Sequence, residues 1–102
     1  MEIETLRELC NVGSIKWTKH CLERMQERDI TIADVKNCII HGEIIEDYPD
    51  DFPNPSALIY GVDIDGRVLH TVCGTDGKVI FAITAYYPDS EVFMQDLKTR
   101  RK

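Results

Sequence analysis

No run of apolar residues in this 102-residue chain approaches the ~20 needed to cross a bilayer, so no membrane-spanning helix is expected. Basic charge is scarce as well. Twelve Lys and Arg face eighteen Asp and Glu, a formal net charge of −6. That balance argues against indiscriminate nucleic-acid binding, which relies on many Lys and Arg contacts to phosphate. Among Cys10, Cys21, Cys38 and Cys73 there is no Cys-x-x-Cys pair, so neither a redox motif nor a zinc site is signalled. A Gly-rich phosphate loop, a nucleophile elbow and a His-x-x-x-His pair are missing too. No metal or other cofactor is therefore expected. The start, Met1-Glu2-Ile3-Glu4, is acidic and amphipathic rather than secretory, and a cytoplasmic location is the expectation.

What is present fits one domain with a real core. A hydrophobic content of 43% is ordinary for a globular chain of this size. The four widely spaced cysteines read as small core hydrophobes. Charge is distributed unevenly: Glu43, Glu46, Asp47, Asp50 and Asp51 crowd one stretch, while Arg100, Arg101 and Lys102 close the sequence. A local cationic site within an acidic protein is compatible with this pattern.

The periodicity predicts an α+β domain. Ile3, Leu6, Leu9 and Cys10 keep the spacing of one buried helical stripe over residues 2–12, and Gly13 supplies the stop. Thr18 caps a second helix over 18–28, and Trp17 with Leu22 occupies the positions of a hydrophobic staple. Thr31 caps a third over 31–41, with Asp34 completing a box-like cap and Gly42 ending it. Strands follow at about 43–48, 56–64, 67–75 and 78–87, and a short final helix is expected over 90–98. Asp65-Gly66 and Asp76-Gly77 mark hairpin turns, so the expected sheet is an antiparallel meander of three to four strands. Two-residue loops would set Gly61 opposite His70 and His70 opposite Ile83, with Thr84 and Tyr86 on the other face.

The sharpest chemical feature is a stripe on the second helix. His20, Arg24 and Arg28 recur every four residues, bordering the apolar face formed by Cys21, Leu22 and Met25. His20 falls in the first turn, at the positive end of the helix dipole. Two guanidinium forks beside an imidazole can grip a phosphate and move a proton. The acidic stretch 43–51 offers a rival explanation, since its carboxylates could neutralise the same arginines. A gap above Gly61 beside His70 offers a second, weaker pocket for a small ligand.

The run Trp17-Thr18-Lys19-His20, Glu23-Arg24-Met25, Glu27-Arg28 and Ile30, then Gly42-Glu43-Ile44-Ile45-Glu46-Asp47-Tyr48-Pro49, resembles a family of small bacterial proteins known as a domain of unknown function. The resemblance continues through Gly66-Arg67-Val68-Leu69-His70 and Ile83-Thr84-Ala85-Tyr86-Tyr87-Pro88. Its members are similar to RelE/ParE-like toxins, and the helix also resembles that of BrnT-type toxins. The resemblance implies a RelE-like fold and a metal-free endoribonuclease toxin of a toxin–antitoxin pair. An RNA substrate and a zinc-ribbon antitoxin are the implied partners. On that reading His20 is the acid or base and Arg24 and Arg28 stabilise the phosphorane. His70, Thr84 and Tyr86 assist the leaving group or orient the phosphate. The acidity of the chain, and its lack of a lysine-rich strand, differ from ribosome-dependent RelE toxins. The competing expectation is a non-catalytic protein-binding module of the same fold.

Overall fold

The computed structural model describes residues 1–102 and opens with α1 (Ile3–Asn11), which lacks a side-chain cap and ends ahead of Gly13 at φ 75°. A three-residue strand β1 (Ile15–Trp17) follows. The Thr18 hydroxyl then accepts from the Cys21 amide at 3.1 Å and starts α2 (Lys19–Glu27). A reciprocal capping box starts α3 (Ile32–His41). Thr31 accepts from the Asp34 amide at 3.0 Å, and the Asp34 carboxylate accepts from the Thr31 amide at 2.8 Å. The remaining strands are β2 (Glu43–Tyr48), β3 (Ser56–Val62), β4 (Val68–Thr75) and β5 (Ile80–Tyr86).

The strands form one open five-stranded sheet in the order β1-β5-β4-β3-β2, with β1 parallel to β5 and all other pairs antiparallel. The expected antiparallel meander forms as β2–β5, and the unexpected β1 adds a parallel edge that makes the sheet five-stranded and mixed. Three residues are too few to display alternation, so β1 leaves no periodic signal. The helices cover one face only. Leu6 and Cys10 of α1, Cys21 and Met25 of α2, and Val35, Cys38 and Ile39 of α3 pack on Ile59, Leu69, Cys73, Ala82 and Ala85. All four cysteines are free and buried.

The register differs from the two-residue-loop expectation. Asp63 and Arg67 close the β3–β4 turn through one amide–carbonyl bond of 2.9 Å, leaving Ile64-Asp65-Gly66 as a three-residue loop with Gly66 at φ 88°. One extra residue reverses the pairing parity, so His70 faces Tyr60 and Gly61 faces Leu69. The β4–β5 turn spans four residues, 76–79, and a bulge between Val72 and Cys73, where Ile83 of β5 is the extra residue, completes the shift that sets His70 opposite Tyr86 and Val72 opposite Thr84. His70, Thr84 and Tyr86 consequently share the outer face, where the sequence reading had divided them. The Gly61 gap is also corrected. A Cβ there would lie 2.5 Å from the Cys38 carbonyl oxygen, so the space is filled by α3 and not by a ligand.

No helix forms over 90–98. Asp89 accepts from the Glu91 amide, and Asp96 accepts from the Lys98 and Thr99 amides, so side-chain turns compete with helical bonds. The segment folds instead into a narrow loop joined by a Phe93–Arg100 bridge, and it crosses the outer face of the sheet.

Candidate functional site

α2 runs beside β5, and its C-terminal end delivers one arginine to that strand. Arg28 Nη1 donates to the Ala85 carbonyl at 2.9 Å and to Thr84 Oγ1 at 3.2 Å. Beyond residue 82, β5 has no strand partner on its β1 side, so the Ala85 carbonyl is free to receive the guanidinium. Arg28 forms no ion pair, so no carboxylate of residues 43–51 neutralises it directly. The acidic stretch instead holds the N-terminal amine through Asp47, Lys98 through Glu43, and Arg100 through Glu46. The expected rival for the arginine stripe is therefore engaged elsewhere.

The rest of the stripe behaves differently. Arg24 is tied by two bonds of 3.1 and 2.8 Å to Glu27 of its own helix. His20 is exposed in the first turn, and eight residues at 1.5 Å each place it about 12 Å along the axis from Arg28. Arg28, held against Ala85 and Thr84, thus sits about two helical turns from His20.

Two residues along the outer face from Thr84, Tyr86 meets His70, whose Nδ1 lies 3.4 Å from the phenol oxygen. His70 is fully buried, and its Nε2 is 2.6 Å from the Leu97 carbonyl oxygen. A carbonyl only accepts, so Nε2 carries the proton and Nδ1 is left as an acceptor for the Tyr86 hydroxyl. Burial lowers the His70 pKa below its ordinary 6.5, outweighing the opposing pull of the Leu97 carbonyl. Burial likewise pushes the Tyr86 phenol up, which keeps it protonated at neutral pH. The outer face thus presents a row: Arg28, Thr84, Tyr86, His70.

Beyond His70 the row continues into groups that the sequence reading missed. Glu46 receives Arg100 through two bonds of 2.8 and 3.1 Å, and it also receives the Tyr48 hydroxyl. Burial would raise the Glu46 carboxyl, but the Arg100 and Tyr48 hydrogen bonds outweigh it and hold it below the usual range. Tyr60 and Phe93 pack edge-on to the His70 ring, at 6.0 and 4.7 Å between centroids. The spacing of Glu46 and Tyr48, two residues apart on a strand, is the one signal that could have joined them to a common face. Lys16 of β1 lies opposite Phe81, with its ammonium 5.9 Å from that ring, adding a second cation on the β5 side.

The cysteines take no part. Burial pushes Cys38 up to about 11 and Cys73 up to about 12, so neither is a thiolate nucleophile at neutral pH. No cluster of three or more His, Cys, Asp or Glu side chains has the geometry to hold a metal ion. No helix is long and apolar enough to cross a membrane.

Compared with known protein families, residues 17–87 match the domain of unknown function DUF4258. The chain belongs to the DUF4258 family. The matched span begins at the last residue of β1 and ends one residue after β5, so it contains α2, α3 and β2–β5. All six residues of the expected site, including His20 and Arg24, fall within this DUF4258 span, whereas α1 and residues 88–102 fall outside it. Neither the curated proteins nor the solved structures provide a significant match to the chain.

Proposed function

We propose that this DUF4258 protein is a RelE-like, metal-independent endoribonuclease of a toxin–antitoxin pair. The supporting observation is the Arg28–Thr84 contact beside Tyr86 and His70. It sets a carboxylate-free guanidinium, a hydroxyl, a protonated phenol and a neutral imidazole along one sheet face. Arg28 supplies the fork that suits phosphate oxygens, and its charge stabilises the phosphorane as negative charge builds. Thr84 fixes that fork and offers a hydroxyl to the same phosphate. Tyr86 is the proton-transfer group, oriented by His70 behind it.

In the proposed reaction the 2′-oxygen attacks the adjacent phosphorus and the P–O5′ bond breaks. One proton leaves the 2′-hydroxyl and one reaches the 5′-oxygen, giving a 2′,3′-cyclic phosphate and a 5′-hydroxyl. His20 and Arg24 lie along α2 beyond this centre, with Arg24 held by Glu27. A zinc-ribbon antitoxin is the proposed partner.

The deciding experiment incubates end-labelled RNA, free and ribosome-bound, with purified protein in EDTA. Cleavage leaving cyclic phosphate ends is expected. Arg28→Ala and Tyr86→Phe should each slow it by about 10²–10³-fold, the range for removing one charge-stabilising or proton-transfer group. A wild-type protein inert on both substrates would overturn the reading.

A second reading, a non-catalytic protein-binding module, is favoured by the bonds that already occupy both ring nitrogens of His70. It predicts harmless overexpression, with Arg28→Ala altering partner capture and leaving growth unchanged.

A further inference from the structure

The outer face of the sheet has an occupant. Residues 89–102 lie across it and follow, rather than belong to, the matched DUF4258 span. Phe93 is the anchor, 2% exposed and edge-to-face with His70 at an interplanar angle of 83°. Leu97 contributes the carbonyl that His70 binds. Lys98 reaches Glu43 at 2.6 Å and stands 4.6 Å from the Tyr60 ring centre. Arg100 grips Glu46 and lies 5.0 Å from the Phe93 ring centre.

The manner of attachment separates this segment from the sheet. Its backbone bonds are internal, from Met94 to Thr99 at 2.7 Å and from Arg101 to Val92 at 2.8 Å, and no backbone–backbone bond joins it to a strand. Exposed ion pairs hold little on their own, so one ring and one carbonyl bond do most of the binding. The matching surface belongs to the domain: an aromatic floor of Tyr60, His70 and Tyr86, edged by Glu43 and Glu46. Bare carboxylates there would repel RNA phosphate and attract a cationic peptide.

We propose that this face is a peptide-binding groove, that residues 89–102 are its resident occupant, and that a basic, aromatic-anchored segment of a partner protein binds by displacing them. This goes beyond the RNA reading, which concerns the Arg28–Tyr86 end of the same face.

The test uses the full-length chain and a labelled peptide with the sequence of residues 88–102. The wild-type groove is mostly closed, so its apparent affinity is the intrinsic affinity multiplied by the small open fraction. A Phe93→Ala chain should bind the peptide one-to-one and about tenfold tighter than wild type. The same substitution placed in the peptide should abolish binding, and Glu46→Lys in the chain should weaken it. Should Phe93→Ala unfold the chain, the exposed pair Lys98→Glu with Arg100→Glu decides alone, and it too should bind more tightly than wild type. Folded variants that bind no tighter than wild type would overturn the groove. So would displacement of the peptide by single-stranded oligouridylate in an Arg28→Ala background, which would assign the groove itself to RNA. RNA cleavage by the same preparations reports separately on the Arg28–Tyr86 centre.

Discussion

His70 couples the stability of the fold to pH through one buried imidazole. Burial depresses its folded pKa below 6.5, so at neutral pH both folded and unfolded chains hold it uncharged. As the pH falls through 6.5, the unfolded chain takes up a proton that the folded chain refuses. Unfolding free energy therefore drops, by at most about 1.4 kcal/mol per pH unit, until the folded His70 titrates too. The carboxyls held low in the fold, Glu46, Asp63, Asp76 and Asp96, lose their stabilising effect only below their ordinary 4.5 and 3.8. Urea titrations at pH 7.5, 6.5 and 5.5 should show the decline, and His70→Gln should flatten it. Gly61 gives a second expectation at this scale. An added Cβ would lie 2.5 Å from the Cys38 oxygen and 2.9 Å from its Cα, both backbone atoms that cannot turn away. Gly61→Ala should cost about 1–3 kcal/mol, read as a lower urea midpoint. The residue types were legible in the sequence; the meaning of this glycine was not, because it depends on α3 pressing on β3.

At the scale of elements, what could be read depended on where each signal was stored. Caps and apolar stripes are local, and the expected helices 2–12, 18–28 and 31–41 lie within about one residue of α1, α2 and α3. Register is not local. Asp65-Gly66 signals a turn in both a two-residue and a three-residue loop, and only the Asp63 side chain separates them by accepting from the Asp65 and Arg67 amides. That one residue decided that His70 meets Tyr60, whereas the bulge beside Val72 decided that it meets Tyr86. The final segment was misread for a related reason: Val92, Phe93 and Leu97 have helical spacing, but Asp89 and Asp96 offer their own carboxylates to the backbone. Asp34 links the readable and unreadable parts, capping α3 while accepting the Ile64 amide of the β3–β4 loop at 3.1 Å. Asp34→Ala should cost about 1–3 kcal/mol by orphaning both amides. Faster hydrogen exchange should appear at Thr31 and Ile64 together. Exchange altered at Thr31 alone would show that the loop does not depend on α3.

Across the whole molecule, an acidic protein proposed to act on RNA must do so through a small cationic patch. The net charge of −6 sets a repulsive background, and most candidate cations near the site are already committed. Arg24 is held by Glu27, Lys19 lies 3.9 Å from Glu23, and Lys98 and Arg100 serve Glu43 and Glu46. Arg28 and Lys16 remain, both on the β5 side of the sheet. Each phosphate neutralised on a single strand contributes about −0.7 to the slope of log affinity against log salt. Two contacts therefore predict a slope of about −1.4 for binding a non-cleavable 2′-O-methyl oligonucleotide. Arg28→Ala should remove roughly half of it. A slope of about −4 or steeper would require some six phosphate contacts, more than this face can supply, and would move the RNA surface elsewhere. A slope near zero would leave no phosphate contact for Arg28 to make. The shallow intermediate value ties the chemistry to the end of β5, where α2 delivers its last arginine.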